Sequence, residues 1–143
     1  MKSNVTLALA TAAALAIAGT AAGQSLKARQ FQSEQETHLA ASLAVANQRC
    51  QARILATIDW TAFAQDEPGT ATPSGYCEDA LAALGSLCGD QLAKEAIQQA
   101  VKSLMCTKGL RNLTLKDGTL TYTIEYGATD NEDFVKEFLR NHL

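Results

Sequence analysis

The chain has very few of the residues on which most enzyme active sites depend. It has only two histidines, His38 and His142, and neither lies in a metal-binding pattern such as H-E-x-x-H. No serine lies in a G-x-S-x-G sequence and no two cysteines form a C-x-x-C pair, so the motifs of serine hydrolases and thiol–disulfide oxidoreductases are missing. We therefore predict no catalytic residue, no metal site and no cofactor.

The chain also lacks an excess of positive charge. Its 143 residues include 12 Lys and Arg against 15 Asp and Glu, which gives a net charge of −3 at pH 7. Binding to nucleic acid depends on cationic side chains that neutralise phosphates. A mildly acidic chain of this kind is therefore predicted not to bind nucleic acid.

The N-terminus has the plan of a secretory signal peptide over residues 1–23. Lys2 supplies a positive charge, residues 5–18 are apolar or small apart from two threonines, and small residues follow up to Gly23. The apolar stretch is short and rich in alanine, whereas a membrane span needs about 20 strongly apolar residues. Small residues allow cleavage after Ala21, Ala22 or Gly23. Cleavage after Gly23, which we favour, leaves residues 24–143 as a single exported domain, periplasmic or secreted, with no stable membrane insertion. An uncleaved membrane anchor is the alternative.

An even number of cysteines in a small exported chain predicts disulfide bonds. All four cysteines lie within residues 24–143, and they are Cys50, Cys77, Cys88 and Cys106. The alternative is a zinc site that includes a histidine. A structural zinc site usually contains at least one closely spaced cysteine pair, which this chain does not have.

The predicted helices decide which cysteines pair. If residues 78–87 are helical, Cys77 and Cys88 lie roughly 16 Å apart along the axis, whereas a disulfide needs Cα atoms within about 7 Å. A helix that ends at Cys106 would similarly separate Cys88 from Cys106 by roughly 25 Å. The one pairing that remains is Cys50–Cys88 with Cys77–Cys106.

Apolar periodicity predicts three helices in the first two thirds of residues 24–143. A capping-box pattern at 33–36 and apolar residues at three- and four-residue steps predict a long helix from about 33 to 55. Residues 65–75 contain both prolines and two glycines, which predicts a loop that joins two halves of the domain. Helices over 78–88 and 91–106 then form a predicted helical hairpin.

The hydrophobic period changes to two after residue 110. Asp-Gly at 117–118 predicts a two-residue turn that pairs Leu115 with Leu120 in a β-hairpin. A closing helix follows from about residue 130. The predicted fold class is α+β, a small, mainly helical, disulfide-linked domain. It has a long N-terminal helix, a helical hairpin, a C-terminal two-stranded β-hairpin and a closing helix.

Two short segments are candidate interaction surfaces. Their residues are Asp59, Trp60, Phe63, Asp130, Glu132 and Asp133. The first segment carries the only tryptophan, a residue type that dominates interface hot spots. The simpler interpretation, which we favour, is that Trp60 and Phe63 fill the core beneath the loop over 65–75. The acids of the second segment also have a simpler interpretation, because acidic side chains stabilise the start of a helix.

These observations predict a small exported, non-enzymatic protein that binds an envelope or secreted protein, for example as an inhibitor or immunity protein. A cross-linked scaffold suits this role because it holds a surface in place at low entropic cost. Two alternatives stay open. A carboxylate-based hydrolase of cell-wall glycans needs two acids about 5 to 9.5 Å apart in a cleft. A carrier of a small apolar ligand needs an apolar cavity.

Overall fold

The computed structural model describes residues 23–64, 66 and 68–143, so the predicted signal peptide lies outside the described residues except for Gly23. The described chain contains four helices and a four-stranded sheet, and the α+β class is confirmed. The helices are α1 (Leu26–Cys50), α2 (Pro73–Leu87), α3 (Gln91–Ala100) and α4 (Asn131–His142). The strands are β1 (Leu55–Ile58), β2 (Ser103–Lys108), β3 (Asn112–Lys116) and β4 (Thr119–Ile124). Among these residues, no helix is long and apolar enough to cross a membrane.

Helix α1 begins earlier and ends earlier than the sequence predicts. Its N-cap is Ser25, whose hydroxyl accepts a hydrogen bond from the Ala28 N–H at 3.1 Å. The predicted capping box is wrong, because Ser33 lies within the helix and its carbonyl accepts from the Thr37 hydroxyl. The helix ends at Cys50 because Gln51 adopts a left-handed conformation with φ of 50°.

Strand β2 corrects the predicted helix over 91–106. That helix stops at Ala100, because Val101 is extended, and residues 103–108 alternate between half-exposed and buried positions. β2 lies between β1 and β4 and is parallel to both, so its backbone groups find partners on each side. Two strands distant in the sequence therefore override a helical pattern.

The β-hairpin is present with the predicted register. Leu115 pairs with Leu120, and the turn residues Asp117 and Gly118 have positive φ values of 51° and 81°, as a two-residue hairpin turn requires. The hairpin is not a separate two-stranded unit, however. It extends a mixed sheet whose strand order is β1-β2-β4-β3.

Both predicted disulfide pairings are present. Cys50–Cys88 joins the ends of α1 and α2 with a Cα–Cα distance of 5.0 Å, and Cys77–Cys106 joins α2 to β2 at 6.1 Å. Cys106 lies on strand β2 rather than at a helix end, so the predicted separation of Cys88 from Cys106 along a helix is wrong. The predicted loop over 65–75 also ends early, since α2 starts at Pro73, where the missing proline N–H has no helical partner to lose.

The helices cover one face of the sheet, with α1 against β1, α2 against β4 and α4 against β3. The strand residues on this face are buried, and they are Ile58, Leu104, Cys106, Leu113, Leu120, Tyr122 and Ile124. The opposite face is mostly serine and threonine at half-exposed positions. Tyr122 links the layers, because its hydroxyl donates to Asn131 Oδ1 at 2.8 Å and Asn131 Nδ2 donates to Asp79 at 3.2 Å.

Asp79 is expected to make the stability depend on pH. Burial raises the pKa of this carboxyl, although the hydrogen bond from Asn131 acts to lower it. A raised pKa in the folded state contributes stability below the unfolded-state pKa, and that contribution is lost as pH rises through the folded-state value. Asp79→Asn keeps the acceptor for Asn131 and removes the charge. We expect its thermal unfolding midpoint at pH 7 to exceed that of the wild type by a few degrees.

The same measurement near pH 3.5, where free aspartate is largely protonated, supplies the control. We expect the difference between Asp79→Asn and the wild type to vanish there. An equal difference at both pH values would show that charge is not the cause.

Candidate functional site

Residues 56–64 lie beside α1, with a groove between the two. The two run in opposite directions, since β1 lies beside residues 36–43 of α1 and Trp60 lies beside Phe31. The part of the groove nearer the start of α1 is a cavity of about 390 Å³, which we call the aromatic groove. Its lining includes Ala28, Phe31, Trp60, Phe63, Ala64, Asp66, Pro68 and Tyr126.

Aromatic rings form a continuous chain of contacts along the aromatic groove. Ring centroids lie 6.3 Å apart for Phe31 and Trp60, 6.2 Å for Trp60 and Phe63, and 6.2 Å for Phe63 and Tyr126. Tyr76 continues the chain at 5.8 Å from Tyr126. The separations fall in the range in which edge-to-face and tilted rings attract each other. Because the chain has only eight aromatic residues, these five represent a concentration at one place.

The two aromatic residues predicted from the sequence have different roles. Phe63 is buried in the core, at 5% exposure. Trp60 is half-buried, and its Nε1 donates to Glu36 Oε1 of α1 at 2.8 Å. That hydrogen bond fixes the orientation of the indole, so part of its surface faces the groove in a defined position.

Asp66 holds the other end of the aromatic groove in place. Its carboxylate forms an ion pair with Lys108 and accepts from the Tyr126 hydroxyl at 2.8 Å. Burial works to raise the pKa of Asp66, but the hydrogen bonds from Lys108 and Tyr126 outweigh it and lower that pKa. Burial and the bond to Asp66 raise the pKa of Tyr126. Asp66 is therefore an ionised group that positions Tyr126.

Asp59 does not line the aromatic groove. Its carboxylate accepts from the hydroxyl and N–H of Thr61, and from the Thr107 hydroxyl at 3.2 Å. The hydrogen bond from the Thr61 side chain is the largest influence on the pKa of Asp59, which is lowered. The residue thus stabilises the turn after β1.

The predicted acidic surface lies elsewhere and serves the docking of α4. Glu132 forms an ion pair with Lys136 and accepts from the Ser86 hydroxyl of α2 at 3.2 Å. Asp133 also lies 3.6 Å from Lys136, whereas Asp130 is an exposed residue with φ of 57° at the helix start. The hydrogen bond from Lys136 lowers the pKa of Glu132. The structure does not bring these acids to the aromatic groove.

A second, separate cavity of about 340 Å³, which we call the edge trough, lies farther along the same side of α1. Its walls are one side of α1 and strand β1. The lining residues are Glu36, Leu39, Ala40, Leu43, Ala56, Thr57 and Ile58. Glu36 borders the edge trough and bonds to Trp60, so the hydrogen bond between them marks the junction with the aromatic groove.

The sequence did not identify Phe31 and Tyr126 as site residues, whereas Asp66 was expected only as a possible acid of the hydrolase alternative. Phe31 precedes the predicted start of the first helix, and Tyr126 follows the predicted hairpin, so neither belonged to a predicted element. The one available signal was the scarcity of aromatic residues, which makes each aromatic side chain outside a predicted core worth examining.

Chemically, the groove offers an apolar aromatic wall and a carboxylate whose hydrogen bonds are already satisfied. Within residues 23–64, 66 and 68–143, no group of three or more His, Cys, Asp and Glu side chains is arranged to hold a metal ion. The chain matches no protein-family model, and searches of curated proteins and of solved structures found no match.

Proposed function

We propose that this protein is an exported, non-enzymatic binding protein, and that its aromatic groove holds an apolar part of another envelope or secreted protein. The observation that carries the proposal is the chain of five aromatic rings, one of which, Trp60, presents a partly exposed and fixed surface. Tryptophan and tyrosine are enriched among the residues that supply most binding energy at interfaces. The two disulfides and the predicted signal peptide support export.

Rigidity of the groove supports the proposal. Glu36 fixes the indole of Trp60, Asp66 fixes the ring of Tyr126, and Phe63 is buried between them. A surface that is ordered before binding loses little conformational entropy on association, so more of the contact energy appears as affinity. An inhibitor or immunity protein requires such a surface and no catalysis.

The two alternatives receive unequal support. A glycan hydrolase needs a general acid with a raised pKa, whereas the pKa of Asp66, the acid that lines the aromatic groove, is lowered. A carrier of a small apolar ligand is the second candidate, because a cavity of about 390 Å³ lies at the lower end of the usual size of ligand pockets.

Blocking the aromatic groove is expected to abolish partner capture. Ala64 is exposed and lines the groove, so Ala64→Arg fills it without removing any packed side chain. The exported, oxidised protein would be immobilised on a support and incubated with native envelope and secreted extracts. The proteins that it retains would be quantified by mass spectrometry. We expect the wild type to retain one protein that Ala64→Arg retains at least about tenfold less, a loss of about 1.4 kcal/mol.

Leu92→Arg is the matched control. Leu92 is 78% exposed on α3 and lies outside the lining of both cavities. It should retain the partner like the wild type, and thermal unfolding should show that both variants fold. Equal retention by Ala64→Arg would remove the aromatic groove from the binding surface. If the wild type retains no protein but binds a small apolar molecule, and Ala64→Arg does not bind that molecule, the result would favour the carrier.

A further inference from the structure

Strand β1 lies at the edge of the sheet, and some of its backbone groups have no partner among the residues that the structure describes. The N–H of Leu55 donates to the Lys102 carbonyl at 3.0 Å, and the N–H of Asp59 donates to the Cys106 carbonyl of β2 at 2.8 Å. In a parallel pair, alternate residues bond to the same neighbour. The backbone groups of Ala56 and the N–H of Ile58 therefore point away from β2, where they can pair with an added strand.

At Ile54, two residues before Ala56, a side chain already pairs with this edge. Asn47 of α1 accepts from the Ile54 N–H at 2.8 Å and donates to the Ile54 carbonyl at 2.9 Å, as a neighbouring strand would. Among the described residues, no side chain does this for Ala56 or Ile58. The free stretch of edge thus begins where the Asn47 amide stops.

The edge trough lies beside this free edge and determines which side chains an added strand should carry. Ala56 and Ile58 point to the helical side of the sheet, since their register partners Leu104 and Cys106 are buried there. Residues of an added strand that lie opposite them would point into the trough. The trough is apolar except for Thr57 and, at one end, the carboxylate of Glu36.

We infer that the edge trough binds an extended segment of the partner polypeptide, which adds to β1 as a fifth strand. The segment has apolar side chains at alternate positions, to fill the trough, and a Lys or Arg that meets Glu36, the one charged residue of its lining. This inference rests on the proposed function, because it specifies how the partner of the aromatic groove binds.

A single segment is long enough to occupy both cavities. They follow one side of α1 from Leu43 to Ala28, a distance of about 22 Å at 1.5 Å per residue. About seven residues of extended chain cover that distance at about 3.3 Å each. A segment paired with β1 that also passes over the hydrogen bond between Glu36 and Trp60 would reach the aromatic groove.

The test uses random peptides of about ten residues, displayed on phage and selected on the exported, oxidised protein. A selected peptide is then synthesised with one backbone nitrogen methylated at a time. Alternate peptide nitrogens face β1, and a methyl group there removes the N–H that donates to the Ala56 carbonyl or collides with the strand, so we expect affinity to fall at least about tenfold at alternate positions and to persist at the positions between them. This alternation is a property of the peptide and does not depend on how a protein variant folds.

Protein variants locate the binding. Ala40 is exposed on α1, and Arg is a good helix former, so Ala40→Arg fills the trough with little cost to the fold. It should abolish binding of the selected peptides, whereas Leu92→Arg should leave binding unchanged. Methylation effects without alternation, peptide binding unaffected by Ala40→Arg, or a failure to select any peptide would each overturn strand addition.

Partner capture by Ala64→Arg and Ala40→Arg, compared side by side, separates this inference from the proposed function. If Ala64→Arg abolishes partner capture while Ala40→Arg does not, the aromatic groove binds the partner and strand addition is wrong. If neither variant affects capture, both proposals are wrong. If the wild type sediments as a dimer and Ala40→Arg as a monomer, the edge of β1 pairs with a second copy of this chain. That result would contradict the binding of a partner segment.

Discussion

Reduction of both disulfides is expected to unfold this protein at about 37 °C. The bridges span sequence separations of 38 and 29 residues, and in the chain-entropy model each contributes about 3.5–4 kcal/mol. Because the total unfolding free energy of a domain is about 5–15 kcal/mol, loss of both bridges removes half of it or more. A chain of this size has only a small core with which to compensate.

The structure gives a second reason for a large effect. All four cysteines are buried, with exposures between 0% and 4%. Cys77–Cys106 ties α2 to β2, an inner strand of the sheet, and Cys50–Cys88 joins the ends of α1 and α2, the two longest of the described helices. Reduction therefore frees both helices from positions at the centre of the fold.

Urea unfolding, with and without reductant, measures this effect. Two double variants, Cys50→Ala with Cys88→Ala and Cys77→Ala with Cys106→Ala, separate the bridges. We expect each to lose about 3.5–4 kcal/mol and the two losses to be similar, because the loops are similar in length. A fully reduced protein with the wild-type unfolding midpoint would contradict this account.

Replacing Tyr122 by alanine is expected to have the largest effect of any single substitution in the core. Tyr122 is the largest of the fully buried side chains and lies on β4, an inner strand. Tyr122→Ala leaves a cavity the size of an aromatic ring, which costs about 3–5 kcal/mol. It also removes the hydroxyl that donates to Asn131 at 2.8 Å, and an unpaired buried amide oxygen costs about 1–3 kcal/mol more.

Tyr122→Phe separates the contribution of the hydroxyl to stability from that of the ring. Burial raises the pKa of Tyr122 to about 12, so the hydroxyl keeps its proton and donates to Asn131 throughout the neutral range. We expect Tyr122→Phe to lower the unfolding free energy by about 1–3 kcal/mol, in urea unfolding at neutral pH. Thr121→Ala, on the same strand but on the open face, should cost about 1 kcal/mol or less. Equal losses for Tyr122→Phe and Tyr122→Ala would assign the whole effect to the hydroxyl.

The sequence by itself determined the elements whose signals are local. The turn at Asp117-Gly118 and the alternation around it define a hairpin with one register, because a shift by one residue would expose its apolar face. The last helix is similarly defined by acids at its start and basic residues at its end. The separation of Cys77 from Cys88 followed from helix geometry alone, and that exclusion holds in the structure.

Tertiary structure alone decided the elements whose partners are distant in the sequence. Residues 103–108 fit a helical pattern, but they form a strand because β1 and β4 supply hydrogen bonds on both sides. The same holds for the candidate site. Phe31, Trp60 and Tyr126 come from three separate parts of the chain, and neither their contacts nor the free edge of β1 leaves a local pattern. Parallel sheet pairing and groove formation depend on which surfaces the helices cover, and packing of the whole chain determines that.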